Sequence, residues 1–210
     1  MEVWGLIDTQ GRVILEPQYY EIGPFRDGIA EVKLQDMKTI AFIDTDGKRL
    51  FTLPKEIVDV GPFSDGLALA NVGGKWDEID GAALQGGKWG YIDRTGAWAI
   101  KPRFELNYDS IYLSDQDAMY FRYLLETGRF SDGRAAVQVE GGWGFIDRSG
   151  ALVIPGPYTW VEAFHAGHTR VMNEHDKKFS ENTRQQIITL DAVINTDGEV
   201  VWETDWSAFN

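Results

Sequence analysis

Five times in 210 residues the chain states a phrase, or a worn form of it, that reads Trp-Gly-x-Ile-Asp-x-x-Gly. The clearest copy is Trp89-Gly90-Tyr91-Ile92-Asp93-Arg94-Thr95-Gly96, and full copies return at Trp143–Gly150 and Trp4–Gly11. Worn copies stand at Ile40–Gly47 and Asp191–Gly198, where Ala replaces the first Gly. Self-similarity of this kind restricts a chain to repeated supersecondary units that bury their apolar faces on one another. It specifies architecture and carries no chemistry by itself.

The period inside each unit is that of strands. With side chains alternating, Trp89, Tyr91 and Asp93 share one face while Gly90 and Ile92 share the other. Both faces are then partly apolar, which suits a strand covered on both sides. A Gly inside a strand weakens it, so one that recurs marks a close approach by a ring or a neighbouring backbone. Asp-x-x-Gly fits a type I turn followed by a left-handed residue, which explains the Asp as a turn former. A second strand follows, as in Ala97–Ile100 and Ala151–Ile154, and ends near Pro17, Pro102 or Pro155. An aromatic comes next (Tyr19, Phe104, Tyr158), and then a second turn: Phe25-Arg26-Asp27-Gly28, Phe63-Ser64-Asp65-Gly66 and Phe130-Ser131-Asp132-Gly133. The fourth copy, Phe164-His165-Ala166-Gly167, has lost the Asp. A third strand completes the unit, and Asp-Gly between apolar runs is a strong hairpin signal.

At these two blocks the sequence resembles the WG-repeat family of bacterial β-repeat proteins. Lys88-Trp89-Gly90-Tyr91-Ile92-Asp93 matches that family's signature throughout, and Gly61–Ala68 matches its second block. The resemblance implies antiparallel β-repeats, no shared catalytic residues and a role as an interaction scaffold. The expected fold is all-β: antiparallel three-stranded units in an open twisted array, or, as the alternative, a closed barrel or propeller-like ring. One domain over residues 1–210 is expected, with about five units starting near 4, 40, 89, 143 and 191.

Three insertions, near 71–87, 105–128 and 173–186, interrupt the repeat. Packing rules do not dictate insertions, so they are the places to look for a specific surface. The first holds Gly74-Lys75-Trp76-Asp77-Glu78-Ile79-Asp80-Gly81, an echo of the phrase with carboxylates where Gly and Tyr belong. It reads either as a hairpin with Trp76 beside an acidic tip or as a decayed repeat folded on its neighbour. The second contains a helix near 114–127, capped by Ser114 and stopped by Gly128, that would cover a sheet face or edge. The third reads as a long polar hairpin loop carrying Glu174 and Asp176.

Chemistry is hard to find. The chain has no cysteine, so no disulfide, thiolate or Cys-ligated metal is available. His165, His168 and His175 lack a helical metal-binding spacing, and no phosphate loop, dinucleotide fingerprint or nucleophile elbow occurs. The expectation is therefore no enzyme, no metal and no cofactor. With 33 acidic against 20 basic residues the net charge is −13, which repels nucleic acid and steers a basic partner. No segment approaches a membrane span, and the N-terminus lacks a leader pattern, so a cytoplasmic protein is expected.

These readings converge on a non-catalytic protein-binding module. Its sharper form is an acidic, immunity-type inhibitor of a basic, toxin-like partner. The partner surface is assigned to Trp76, Asp77, Glu78 and Asp80, with Glu174 and Asp176 beside them, because an aromatic anchor ringed by carboxylates suits a basic interface. A carbohydrate binder using exposed aromatics and a carboxylate hydrolase are the alternatives. Oligomeric state is not legible.

Overall fold

The computed structural model describes residues 2–76, 84–106, 125–172 and 192–203. Among these the chain is almost entirely β, built as small antiparallel sheets, and no sheet closes into a barrel. Three residues, 125–127, are helical; the rest of the helix expected near 114–127 lies outside the described residues. No described helix is long and apolar enough to cross a membrane. The chain divides into two compact units, Met1–Arg103 and Phe104–Asn210.

In the first unit β1 (Trp4–Ile7) pairs with β2 (Val13–Tyr19) as a two-stranded sheet. A second sheet has the order β3 (Glu21–Ile22), β4 (Ile29–Lys33), β5 (Ile40–Asp44), β6 (Arg49–Thr52). A third contains β7 (Ile57–Val60), β8 (Leu67–Val72), β11 (Lys88–Asp93) and β12 (Trp98–Phe104), with a ribbon of β9 (Lys75–Trp76) and β10 (Leu84–Gln85) inserted between β8 and β11. In the second unit β13 (Ala135–Val139), β14 (Gly142–Ile146) and β15 (Leu152–Tyr158) form one sheet. β16 (Trp160–Val161), β17 (His168–Met172), β18 (Ala192–Asn195) and β19 (Val200–Glu203) form the other.

The expected three strands recur in each larger sheet, but in a shifted frame. The strand after an Asp-Gly turn pairs with the phrase that begins the next unit, as β4 does with β5 and β8 with β11. In the second to fifth copies the phrase strand is therefore central, whereas β1 has only β2 beside it among the described residues. Tyr19, Ala30, Val32, Ala41 and Ile43 form one core between the first two sheets. On the opposite face Ile29, Phe42, Ile57, Phe63, Ala68, Ala70 and Ile92 form a second core, shared with the third sheet. Phe42 stacks on Phe51 with centroids 4.8 Å apart and meets the edge of Phe63 at 5.5 Å.

Register explains which residues the phrase tolerates opposite it. Its isoleucine (Ile43, Ile92, Ile146, Ile194) always faces a small residue, respectively Ala30, Ala68, Ala135 and Thr169. Cβ atoms of directly opposed residues lie only about 4.5–5.5 Å apart, so a small partner leaves room for a branched side chain that is fully buried. The position before it by two, Gly or Ala, faces Val32, Ala70, Val137 or Val171.

The glycine of Trp-Gly has a steric cause. Across from Gly144 the register jumps from Trp143↔Tyr158 to Phe145↔Ile154, so one residue of β14 faces three of β15. The surplus forms an arch around Pro155–Pro157 that lies over Gly144, where a Cβ would meet the Ile154 carbonyl oxygen at 2.7 Å. Gly5 lies under the same arch at Glu16–Gln18, since Trp4↔Tyr19 is followed by Leu6↔Leu15. The worn phrases have no arch there: Ala41↔Thr52 steps evenly to Phe42↔Phe51, and Ala192↔Glu203 to Val193↔Trp202. Ala in units two and five is thus matched to a flat partner strand.

Candidate functional site

The aspartates are the repeated polar groups, and their partners settle what they can do. In the first turn Asp8 Oδ1 accepts from the Gln10 and Arg12 amides, both at 2.9 Å. Asp44 does the same with Asp46 and Lys48, Asp93 with Thr95 and Ala97, and Asp147 with Ser149 and Ala151. Backbone bonds close each turn, Gly96 N–H to Asp93 O at 2.9 Å for example, and the turn glycines all have φ between 76° and 83°. That is a type I turn with a left-handed third residue. Hydrogen bonds from the Thr95 and Ser149 hydroxyls hold the Asp93 and Asp147 carboxyls below the usual range, and the Arg12 amide does so for Asp8. A carboxylate whose lone pairs are committed to backbone amides is a structural acceptor and a poor proton donor.

Asn195 fills the same place in the fifth copy and accepts from Asp197 and Glu199 at 3.0 and 2.9 Å. The natural exchange gives a test. Asp93→Ala should lower stability by about 1–2 kcal/mol, the worth of the lost turn hydrogen bonds, while Asp93→Asn should cost under about 0.5. Equal losses for the two in urea denaturation would show that charge, and not acceptor geometry, holds the turn.

The second turn is a two-residue hairpin with both central residues left-handed: Asp27 and Gly28 have φ 50° and 74°, and Asp132 and Gly133 have 52° and 74°. Asp-Gly is the pair that such a turn favours. Its Asp also does something that the sequence did not reveal. Asp27 Oδ2 accepts from the Gly66 amide of the next turn at 2.7 Å, and Asp132 Oδ2 from Gly167 at 2.7 Å. Arg94 adds an ion pair to Asp27 at 2.9 Å and donates to its carbonyl at 2.7 Å. The first copy of this turn is thus stapled to the second, and the third to the fourth. Ala166 keeps the left-handed conformation at φ 50°, yet no further copy of the turn follows it in these 210 residues to be stapled.

One pair of carboxylates stands apart from the turns. Glu31 on β4 and Asp59 on β7 repel each other, and burial pushes the Asp59 carboxyl up to about 6 and raises Glu31 as well. Asp59 Oδ2 is shielded from solvent and has no hydrogen-bond partner. A carboxyl raised from 3.8 binds more protons folded than unfolded between about pH 4 and 6. Stability therefore falls as pH rises through about 6, and is regained below it. Asp59→Asn should add about 1–3 kcal/mol at pH 7.5, roughly half as much at pH 5, and little below about pH 4. A variant no more stable than the parent at pH 7.5 would overturn this assignment.

Of the residues assigned to a partner surface, Trp76 is described and Asp77, Glu78, Asp80, Glu174 and Asp176 lie outside the described residues. Trp76 lies in β9 opposite Leu84, is 41% exposed, and points its indole N–H at the Val58 carbonyl 3.4 Å away. The first insertion is therefore a hairpin at its base, with the tryptophan leaning across β7. Asn71 secures that base from full burial: its Oδ1 accepts from Gly74 N–H at 3.0 Å and its Nδ2 donates to Gly86 O at 3.2 Å. Asn71 was not singled out in the sequence; the glycine pairs 73–74 and 86–87 on either side of the insertion were the available signal. Gly87, at φ 77°, can bear no Cβ, which would stand 2.5 Å from the Asn71 oxygen.

His165 and His168 flank the fourth two-residue turn and bond to each other only through their backbones. Among the described residues no group of three or more His, Asp and Glu is placed to hold a metal ion.

A family model described as WG containing repeat matches residues 4–36, 41–76, 89–112 and 143–177, more than half of the chain. No curated protein and no solved structure matches it.

Proposed function

The chain belongs to the WG-repeat family, and from that premise we propose that it is a non-catalytic protein-binding module whose partner is a basic protein, in its sharper form a toxin-like protein that it inhibits. The observation that carries this reading is how the repeated carboxylates are used. Those of both turns accept backbone hydrogen bonds within or between units, so the repeat supplies a scaffold and not a reactive group. Specific recognition then falls to what differs between units. The net charge of −13 favours a basic partner and speeds its approach at low salt. The Trp76 ribbon, with Asp77, Glu78 and Asp80 following it in sequence, is the proposed contact.

The test is affinity capture from the source cells with the whole chain immobilised, eluted by a salt gradient. A basic protein released by salt is expected, and replacing Asp77, Glu78 and Asp80 together by Lys should slow its association at least tenfold while flattening the salt dependence. Capture of only acidic proteins, or association indifferent to salt, would defeat the reading.

A further inference from the structure

The five phrases are not equally covered. β5, β11, β14 and β18 each lie between two strands. β1 has β2 on one side and no strand among the described residues on the other. The same phrase is consequently buried in one place and bare in another: Trp89 and Ile92 are 1% and 0% exposed, Trp4 and Ile7 59% and 69%. The turn glycines repeat the contrast. Leu15 lies against Gly47, Phe51 against Gly96 and Ile154 against Gly198, each from the strand that follows the phrase of the preceding sheet, whereas nothing stands within 4 Å of a Cβ placed on Gly11.

An open edge invites strand addition unless charge or proline blocks it. The edge strands β2, β3, β6, β7, β9, β12, β15 and β19 each contain a proline or a charged side chain. β1, β10, β13 and β16 contain neither, and of these four β1 alone is a strand of the repeated phrase, whose other copies all have a strand on each side.

We propose that the free edge of β1 is a docking site for an extended, basic segment of a partner protein, which joins the sheet as an antiparallel strand. This deepens the function proposed above and rests on it for the partner's basic character. The occupant's chemistry follows from what covers the other four phrases. Register gives it a small residue opposite Ile7 and Ala or Val opposite Gly5. Charge gives it flanking lysines or arginines. Residues 1–20 hold Glu2, Asp8 and Glu16 against a single base, Arg12, whose guanidinium is already bonded to Asp8 at 2.5 Å. Main-chain hydrogen bonds would supply affinity in such a complex, and the small-residue position would supply selectivity.

The probe is the peptide Lys-Lys-Ala-Ala-Val-Gln-Val-Lys-Lys, whose centre copies Ala135–Val139, titrated into the whole chain by calorimetry. Amide hydrogen exchange is followed in parallel. Protection that grows at Trp4–Ile7 on binding is expected, together with affinity at least tenfold weaker for Ile7→Lys. Protection confined to other strands, or equal affinity for Ile7→Lys, overturns the proposal. So does concentration-dependent self-association that Ile7→Lys abolishes, since a second copy would then occupy the edge. Should Ile7→Lys unfold, the site of protection on the unsubstituted chain decides alone. If this peptide fails while a native basic protein is still captured through the Trp76 ribbon, the edge is refuted and the broader function stands.

Discussion

Trp89→Ala is expected to lower the free energy of unfolding by about 3–5 kcal/mol, and Trp143→Ala by a similar amount, whereas Trp4→Ala should cost less than about 1. The three side chains occupy the same place in the same phrase. What separates them is the strand that covers β11 and β14 but not β1. Trp89 and Trp143 are 1% and 6% exposed and Trp4 is 59% exposed, so truncation opens a cavity in the first two and only trims a surface in the third. Midpoints of chemical denaturation for the three variants measure the difference. Losses of equal size would mean that Trp4 is covered in solution by something beyond the described residues.

Gly90→Ala should destabilise by about 3 kcal/mol or more, an unusual penalty for one methyl group. The new Cβ would stand 2.5 Å from the Ile100 carbonyl oxygen and 2.7 Å from the Pro102 nitrogen. Both are backbone, so neither can turn aside as a side chain would. The converse change, Ala41→Gly, removes a methyl where the partner strand runs flat and should cost only about 1 kcal/mol. If Gly90→Ala melts with the parent, the arch over the phrase is pliable, and the glycine needs another explanation.

Local chemistry made much of this fold legible in the sequence. Asp-x-x-Gly specifies its turn through a positive φ and a side chain that bonds its own backbone, with Asn195 serving in the fifth copy. Asp-Gly specifies its turn through two left-handed residues. Five turns of the first kind and three of the second thus fall where the residues place them, while Ala166-Gly167 keeps the turn without the Asp. Alternation likewise marked the phrase as a strand buried on both faces. The pairing partner was not legible, because alternation says that a strand has two covered faces and not which neighbour lies beside it. The frame of the sheets therefore emerged only in three dimensions. Asp27 shows a second limit. Turn chemistry explained it fully, and nothing local announced that its carboxylate reaches Gly66, 39 residues away. In the candidate site the base of the insertion is a hairpin, one of the two forms that the sequence left open, while the carboxylates meant to surround Trp76 lie outside the described residues.

The offset between phrase and sheet has a consequence during synthesis on the ribosome. A strand that follows an Asp-Gly turn cannot be completed by anything already made, because its partner belongs to the phrase still to come. For β4 the delay is brief, residues 34–39. For β17 the ribosome must first add residues 173–191, which at about 5–20 residues per second leaves that strand waiting roughly 1–4 s. The nascent chain thus carries an unsatisfied strand once in each of the four larger sheets. Its longest exposure comes late, when most of the protein has already emerged and a neighbouring nascent chain could offer a rival partner.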